Sequence, residues 1–234
     1  MFEKISAGLG PARWRLSSSR KLSTKSGRNL FRPKTLGLAA ALALAVGSGP
    51  AFAVGNPGAT IQGLYDNLLV IMKNGSVLGG SGRYAQLAPV IRRSFDLPFM
   101  ARLAFGTGWS SLTPAQQQQV TESYGRYISA VYADRFDSYH GQQLDVTGEH
   151  QDSYGVIVTS KIIKSDGTPV EVDYLLRSDN GTWLIGDIYL DGTISEVATH
   201  RSEFADILRN QGVDGLVASL DRKAEMLTST ARAE

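Results

Sequence analysis

The stretch PVEVDYLLRSDNGTWLIGDIYLDGTISEVATHRSEFADIL, residues 169–208, decides the fold. Val170, Val172, Tyr174 and Leu176 alternate with Glu171, Asp173 and Arg177. That period of two is the mark of a half-buried strand. Ser178-Asp179-Asn180-Gly181 reads as a hairpin turn, because Asn and Gly tolerate the positive φ that tight connections demand. Trp183 to Leu190 is a second, nearly continuous apolar strand interrupted by Gly186 and Asp187. Asp191-Gly192 ends it, and Thr193 with Glu196 has the form of a capping box opening a helix. Ile194, Val197, Ala198, Phe204, Ile207 and Leu208 supply that helix with its apolar side.

Upstream of this hairpin the period is helical, then changes to two. A first helix is expected over 59–73, with Ile61, Leu64, Leu68, Leu69 and Met72 on one side. Gly79-Gly80-Ser81-Gly82 reads as a flexible joint before a second helix over 83–95, where Pro89 implies a kink or a break. Asp96-Leu97-Pro98 caps a short third helix over 99–105. Thr113-Pro114 starts a long fourth one, expected to reach Tyr139. Leu144 and Val146 mark a short strand, and Tyr154, Val156, Val158 and Ile162 a longer one, with the next turn over 164–168. Gly212 restarts the chain before a last amphipathic helix. Four helices followed by four antiparallel strands give an α+β layout.

The beginning of the chain reads as an address. Residues 1–35 hold nine Lys or Arg against one acid, Glu3, and residues 36–46 are Leu, Ala, Gly and Val. Ala51-Phe52-Ala53 is a small-x-small site, so residues 1–53 have the order of a secretory signal peptide, cleaved after Ala53. A mitochondrial transit peptide and an over-extended start are the alternatives. The apolar run is well short of the ~20 residues that span a bilayer. Residues 54–227 are expected to form one domain, and 228–234 a frayed tail.

Without the leader the electrostatics reverse. Of 24 basic and 22 acidic residues, nine and one lie in it, which leaves 15 against 21 and a net charge near −6 for residues 54–234. That balance does not suit a nucleic-acid partner, which calls for a clustered positive footprint. There is no Cys, so thiol chemistry is excluded. His140, His150 and His200 have no paired-ligand spacing, there is no GxSxG elbow, and the glycines at 79, 80 and 82 lack the Lys-Ser/Thr of a phosphate loop. Neither a metal nor another cofactor is called for. Asp187, inside an apolar strand, is either a tuned general base or a structural carboxylate that pairs with Arg201 or caps a neighbouring loop.

A family resemblance rests on order and spacing. Phe95-Asp96, Met100-Ala101-Arg102, Gly106 with Trp109, Thr113-Pro114 with Gln117, and Tyr132-Ala133 resemble the helical signature of the MlaC family, also called toluene-tolerance auxiliary proteins. Trp183, Asp187, Gly192, Ser195, Arg201 and Phe204 resemble its closing strand and helix. Gly82-Arg83-Tyr84, Phe136-Asp137 through Tyr139-His140-Gly141, and Ile194-Ser195 with Arg201-Ser-Glu-Phe204 are most like the hopanoid-associated HpnM branch. The resemblance implies a curved antiparallel sheet wrapped by helices, with an apolar lipid pocket between them. It implies a periplasmic shuttle, not an enzyme, carrying a hopanoid or a phospholipid between inner and outer membranes. The implied partners are an inner-membrane lipid transporter complex and, transiently, the membrane, with the carrier monomeric.

Candidate lipid-facing positions follow from the helical and strand periods. They are Met100 and Leu103 on the third helix, Tyr124, Tyr127, Ile128 and Val131 on the fourth, and Val158, Val172, Tyr174 and Trp183 on the sheet. Ordinary core is the competing reading for the tyrosine stripe. The competing functions are a small enzyme on a ketosteroid-isomerase-like cone fold with Asp187 as base, and an adaptor without cargo.

Overall fold

The computed structural model describes residues 55–229; the leader, its cleavage site and residues 230–234 lie outside them. Four helices come first: α1 (Pro57–Lys73), α2 (Gly75–Ser94), α3 (Leu97–Phe105) and α4 (Pro114–Arg135), with a 3-10 turn (Thr107–Ser111) between the last two. A meander follows: β1 (Gln143–Asp152), β2 (Gly155–Ile163), β3 (Pro169–Asp179), β4 (Thr182–Leu190) and a two-residue β5 (Ile194–Ser195). Helix α5 (Glu196–Ser229) closes the described chain. All neighbouring strands are antiparallel and the sheet order is sequential. The result is an α+β fold on a curved, unclosed five-stranded sheet, one short strand beyond the four expected.

Local chemistry sets most boundaries. Asn56 accepts the Gly58 N–H and Pro57 takes the first helical turn, so α1 begins two residues before the apolar pattern does. Asp96 Oδ1 accepts the Phe99 N–H at 3.1 Å and starts α3. Thr113 and Gln116 form a reciprocal capping box at α4. Both hairpin connections on β4 use paired positive φ values, at Asn180 and Gly181 and again at Asp191 and Gly192.

Several expected boundaries move. The joint over 79–82 is helical except at Gly79, whose φ of 60° and ψ of −178° alone breaks α2. Pro89 does not break the helix: it and Ala85 lie on the exposed side, where the carbonyl that Pro89 leaves without a donor is open to solvent. Helix α4 stops at Arg135, four residues before Tyr139. Strand β1 is longer than the pattern implied because it is an edge strand: backbone pairing to β2 holds it, while most of its side chains stay exposed. The cap of α5 is Ser195, whose Oγ accepts the Ala198 N–H at 2.9 Å, and Thr193 belongs to the preceding turn. Beyond Gly212 (φ 68°, ψ −166°) α5 bends and runs on to Ser229, two residues into the expected tail.

Helices and sheet share one apolar core. Ile61, Leu64, Tyr65 and Leu68 of α1 meet Val158, Ile162, Val172 and Leu176 of the sheet in it. Tertiary contacts place α1 against β1, β2 and β4, and α5 against α4 and α3. Where α2 ends, Phe95 bridges Ile185 in parallel and the Asp96 N–H donates to the Ile185 carbonyl at 2.8 Å. That junction ties the helical layer to the free edge of β4. Arg83 fastens the layer internally, donating from Nε to the Ala133 carbonyl and from Nη1 to that of Gly75.

Candidate functional site

The interior between helices and sheet carries a chain of hydroxyls in otherwise apolar surroundings. Tyr65 of α1 lies with its OH 2.6 Å from Ser160 Oγ and 3.3 Å from the Tyr174 hydroxyl. Ser160 donates to the Val172 carbonyl, and Tyr132 of α4 hydrogen-bonds Tyr174. Burial pushes all three phenols above their usual range, so they remain neutral donors. The edge-on Tyr65–Tyr174 pair, with centroids 6.0 Å apart, adds packing to the hydrogen bonds. Tyr65 was not among the expected positions, although its spacing from Ile61, Leu64 and Leu68 puts it on the same helical face.

A second polar cluster sits where α4 meets α5. His200 is 5 % exposed, stacks on Phe204, and meets Tyr124 and Tyr127 edge-on. The Tyr124 hydroxyl lies 3.0 Å from His200 Nδ1, while Nε2 is 3.8 Å from Glu196. Burial lowers the imidazole to about 4, with Arg135 and Lys223 acting in the same direction and Glu203 against it. His200 is therefore neutral at pH 7, with one ring nitrogen donating and the other accepting, and the tautomer sets the direction of its bond to Tyr124. Burial also raises Tyr127 to about 12.

The candidate positions divide into three groups. Met100, Tyr124, Ile128, Val158, Val172 and Tyr174 are all buried in the single core cluster. Tyr127 and Trp183 are half-buried against it, and Val131 is half-buried. Leu103 faces outward and is 37 % exposed. The cluster draws residues from both α4 and the sheet, and the two meet directly where Tyr132 hydrogen-bonds Tyr174. Among the described residues the indole Nε1–H of Trp183 is buried without a hydrogen-bond partner, which ordinarily costs about 1–3 kcal/mol.

Asp187 does not pair with Arg201. Its Oδ2 accepts from Ser195 Oγ at 2.6 Å, and its Oδ1 accepts the N–H groups of Ile188 at 2.7 Å and Val197 at 3.2 Å. Burial pushes the carboxyl up while these three hydrogen bonds pull it down. Both oxygens are occupied in holding the start of α5, the capping role among the alternatives. A bulge produces this geometry: Leu176 faces Ile185 and Leu175 faces Asp187, so Gly186 is an extra residue on β4. A side chain at Gly186 would run into Arg177, which lies 3.7 Å over the Phe99 ring and is anchored to Asp96 at 2.7 Å.

Surface hollows flank the core. One of about 360 Å³ runs between α2, α3 and α4 past Tyr84, Phe95, Leu97 and Gly125. Another, of about 460 Å³, lies between α3, the 3-10 turn and α5. Among the described residues, no group of three or more His, Asp or Glu is placed to hold a metal ion, and no helix is long and apolar enough to cross a membrane.

Comparison with known proteins meets this geometry from outside. The family model described as MlaC protein matches residues 62–222, which take in all of the first four helices but the first five residues of α1, the whole sheet and most of α5. The chain belongs to the MlaC family. A solved MlaC-like structure, the phospholipid-binding protein from Ralstonia solanacearum in complex with a phospholipid, is 25 % identical with a TM-score of 0.65. The match covers 75 % of this chain and 100 % of that one. The family resemblance drawn from Phe95-Asp96 to Phe204 therefore holds at the level of MlaC.

Proposed function

We propose that this MlaC-family chain is a periplasmic lipid carrier, which takes a phospholipid or a hopanoid into the space between α4 and the sheet. The observation that carries the reading is the likeness, over 75 % of this chain and the whole of the other, to a protein solved with a phospholipid bound. The geometry supports it in two ways. Residues from α3, α4 and four strands meet in one apolar cluster, and the Trp183 N–H beside it has no partner among the described residues. An ester or glycerol oxygen of a cargo lipid is the kind of acceptor that would satisfy it.

The energetics suit a shuttle. Each methylene moved from water into a dry site gains roughly 0.8 kcal/mol, and a dozen give about 10 kcal/mol gross. A bilayer offers nearly the same, so transfer between protein and membrane is close to neutral and needs no ionic clamp. The Tyr65, Tyr132, Tyr174 and Ser160 hydroxyls pair with one another and with the Val172 carbonyl, so these buried polar groups are satisfied within the protein itself. In this reading residues 1–53 direct the chain to the periplasm, the monomer exchanges cargo with a membrane-embedded transporter, and the hopanoid-associated branch sets the cargo. In the same reading Asp187, which accepts from Ser195, Ile188 and Val197, serves as the cap of α5 and not as a base.

Native mass spectrometry of protein purified from its own periplasm tests this. One added mass in the lipid range per chain is expected, and phosphorus analysis of the extract separates phospholipid from hopanoid. A bare polypeptide mass, with no lipid acquired on incubation with vesicles, would overturn it.

A further inference from the structure

In a mature chain with net charge near −6, one hollow is basic. Arg102 at the end of α3 and Arg201 near the start of α5 both line the 460 Å³ space over the 3-10 turn, and no carboxylate of the described residues lines it. Neither guanidinium makes an ion pair among the described residues; Arg102 rests 5.5 Å over the Phe99 ring. Arg201 lies on bare backbone. Gly106 has φ 87°, and a Cβ there would stand 3.1 Å from Arg201 Nε, so the glycine both makes the turn and opens the seat for the guanidinium. The exposed hydroxyls of Thr107 and Ser110 complete the polar lining.

Beside these donors stand apolar groups: the outward Leu103 and the half-buried Trp109, whose ring meets Phe105 edge-on. Arginine recognises phosphate oxygens through its planar fork of donors. Tryptophan settles at the level of lipid headgroups, and an aliphatic side chain enters the acyl boundary. The combination of two unpaired arginines, hydroxyls, an indole and an exposed leucine matches a phosphate at a bilayer surface. We propose that this hollow is an anion site that seats the phosphate of a membrane lipid headgroup while the protein rests on the bilayer. It rests on the lipid-carrier reading for the source of the phosphate, and it gives Leu103 a role at the membrane rather than in the cargo pocket. Only two arginines take part, so the contact is weak and salt-sensitive, as a shuttle requires.

The test is flotation with phosphatidylcholine vesicles, alone or with a quarter of phosphatidylglycerol, at low and high salt. Wild type should float with the anionic vesicles at low salt only. Arg102→Gln with Arg201→Gln should weaken this about tenfold, since each basic residue near an anionic surface contributes several-fold. Ser110→Glu, at an exposed position, should weaken it as well without touching either arginine or the fold. Equal flotation of wild type and Ser110→Glu, or none by wild type, overturns the proposal. Saturable binding of inorganic phosphate by calorimetry, lost in the double variant and accompanied by no vesicle binding, would assign the site to free phosphate and overturn the membrane role. Lipid co-purifying with each variant is measured separately. Wild-type cargo with lost flotation supports the proposal, whereas a protein without cargo that still floats would count against the carrier reading alone.

Discussion

The carboxylate of Asp187, on the fourth strand, accepts the Val197 N–H at 3.2 Å and so caps the helix that follows the sheet. The same side chain holds Ser195, whose own Oγ accepts the Ala198 N–H, so one buried acid organises the whole strand-to-helix junction. Asp187→Ala should lower stability by about 2 kcal/mol, the cost of leaving buried donors unpaired at a helix start. Asp187→Asn, which keeps one acceptor, should cost about half of that. Arg201→Ala should change stability little, because the two do not pair. Urea denaturation of the three variants checks this, and a loss for Arg201→Ala as large as that for Asp187→Ala would contradict it.

His200 makes stability depend on pH in a defined window. Its pKa in the folded protein is about 4, against an ordinary value near 6.5, so the unfolded chain binds the proton more readily between these values. The contribution is complete above pH ~6.5 and is lost as pH falls toward ~4, by roughly 3 kcal/mol in all. Thermal melts from pH 7.5 to 4.5 should show a falling Tm. In His200→Gln, melting lower at neutral pH, that part of the slope should be missing.

Gly212 is held at φ 68° and ψ −166°, a region open essentially to glycine alone, although a side chain there would meet nothing within 4 Å. Gly212→Ala should therefore destabilise by about 1–3 kcal/mol through the backbone and not through a clash. Gly63→Ala in α1, equally uncrowded and in an ordinary helical conformation, should be neutral or stabilising by up to about 1 kcal/mol. Chemical denaturation of the pair separates conformational strain from packing.

The core between α4 and the sheet is open to a volume test. Ile128→Ala should cost the empty protein about 2–5 kcal/mol, as a large-to-small change in a packed interior does. Val131→Trp, at a half-buried position, should melt within a few degrees of wild type when delipidated and retain less lipid after purification. If it keeps full cargo, the lipid lies elsewhere.

The hairpin turn, the Asp96 cap of α3 and the start of α4 were legible from residues alone, because they depend on neighbours in the chain. Asn180-Gly181 needs only its own positive φ values, and Thr113-Pro114 only the free N–H groups of its own helix. Alternation and helical spacing likewise sent Tyr124, Ile128, Val158, Val172 and Tyr174 to one core. What tertiary structure alone decided was which groups meet across that core. Pattern could not see the Gly186 bulge, which turns Asp187 toward Ser195 and Val197 and away from Arg201. Nor could it place Leu103, whose helix spacing matches that of Met100 but whose side chain is left outside. A period reports which side of an element is apolar. Which apolar side finds a neighbour, and which two arginines end in one hollow, depends on contacts between residues a hundred positions apart, and these exist only once the chain has folded.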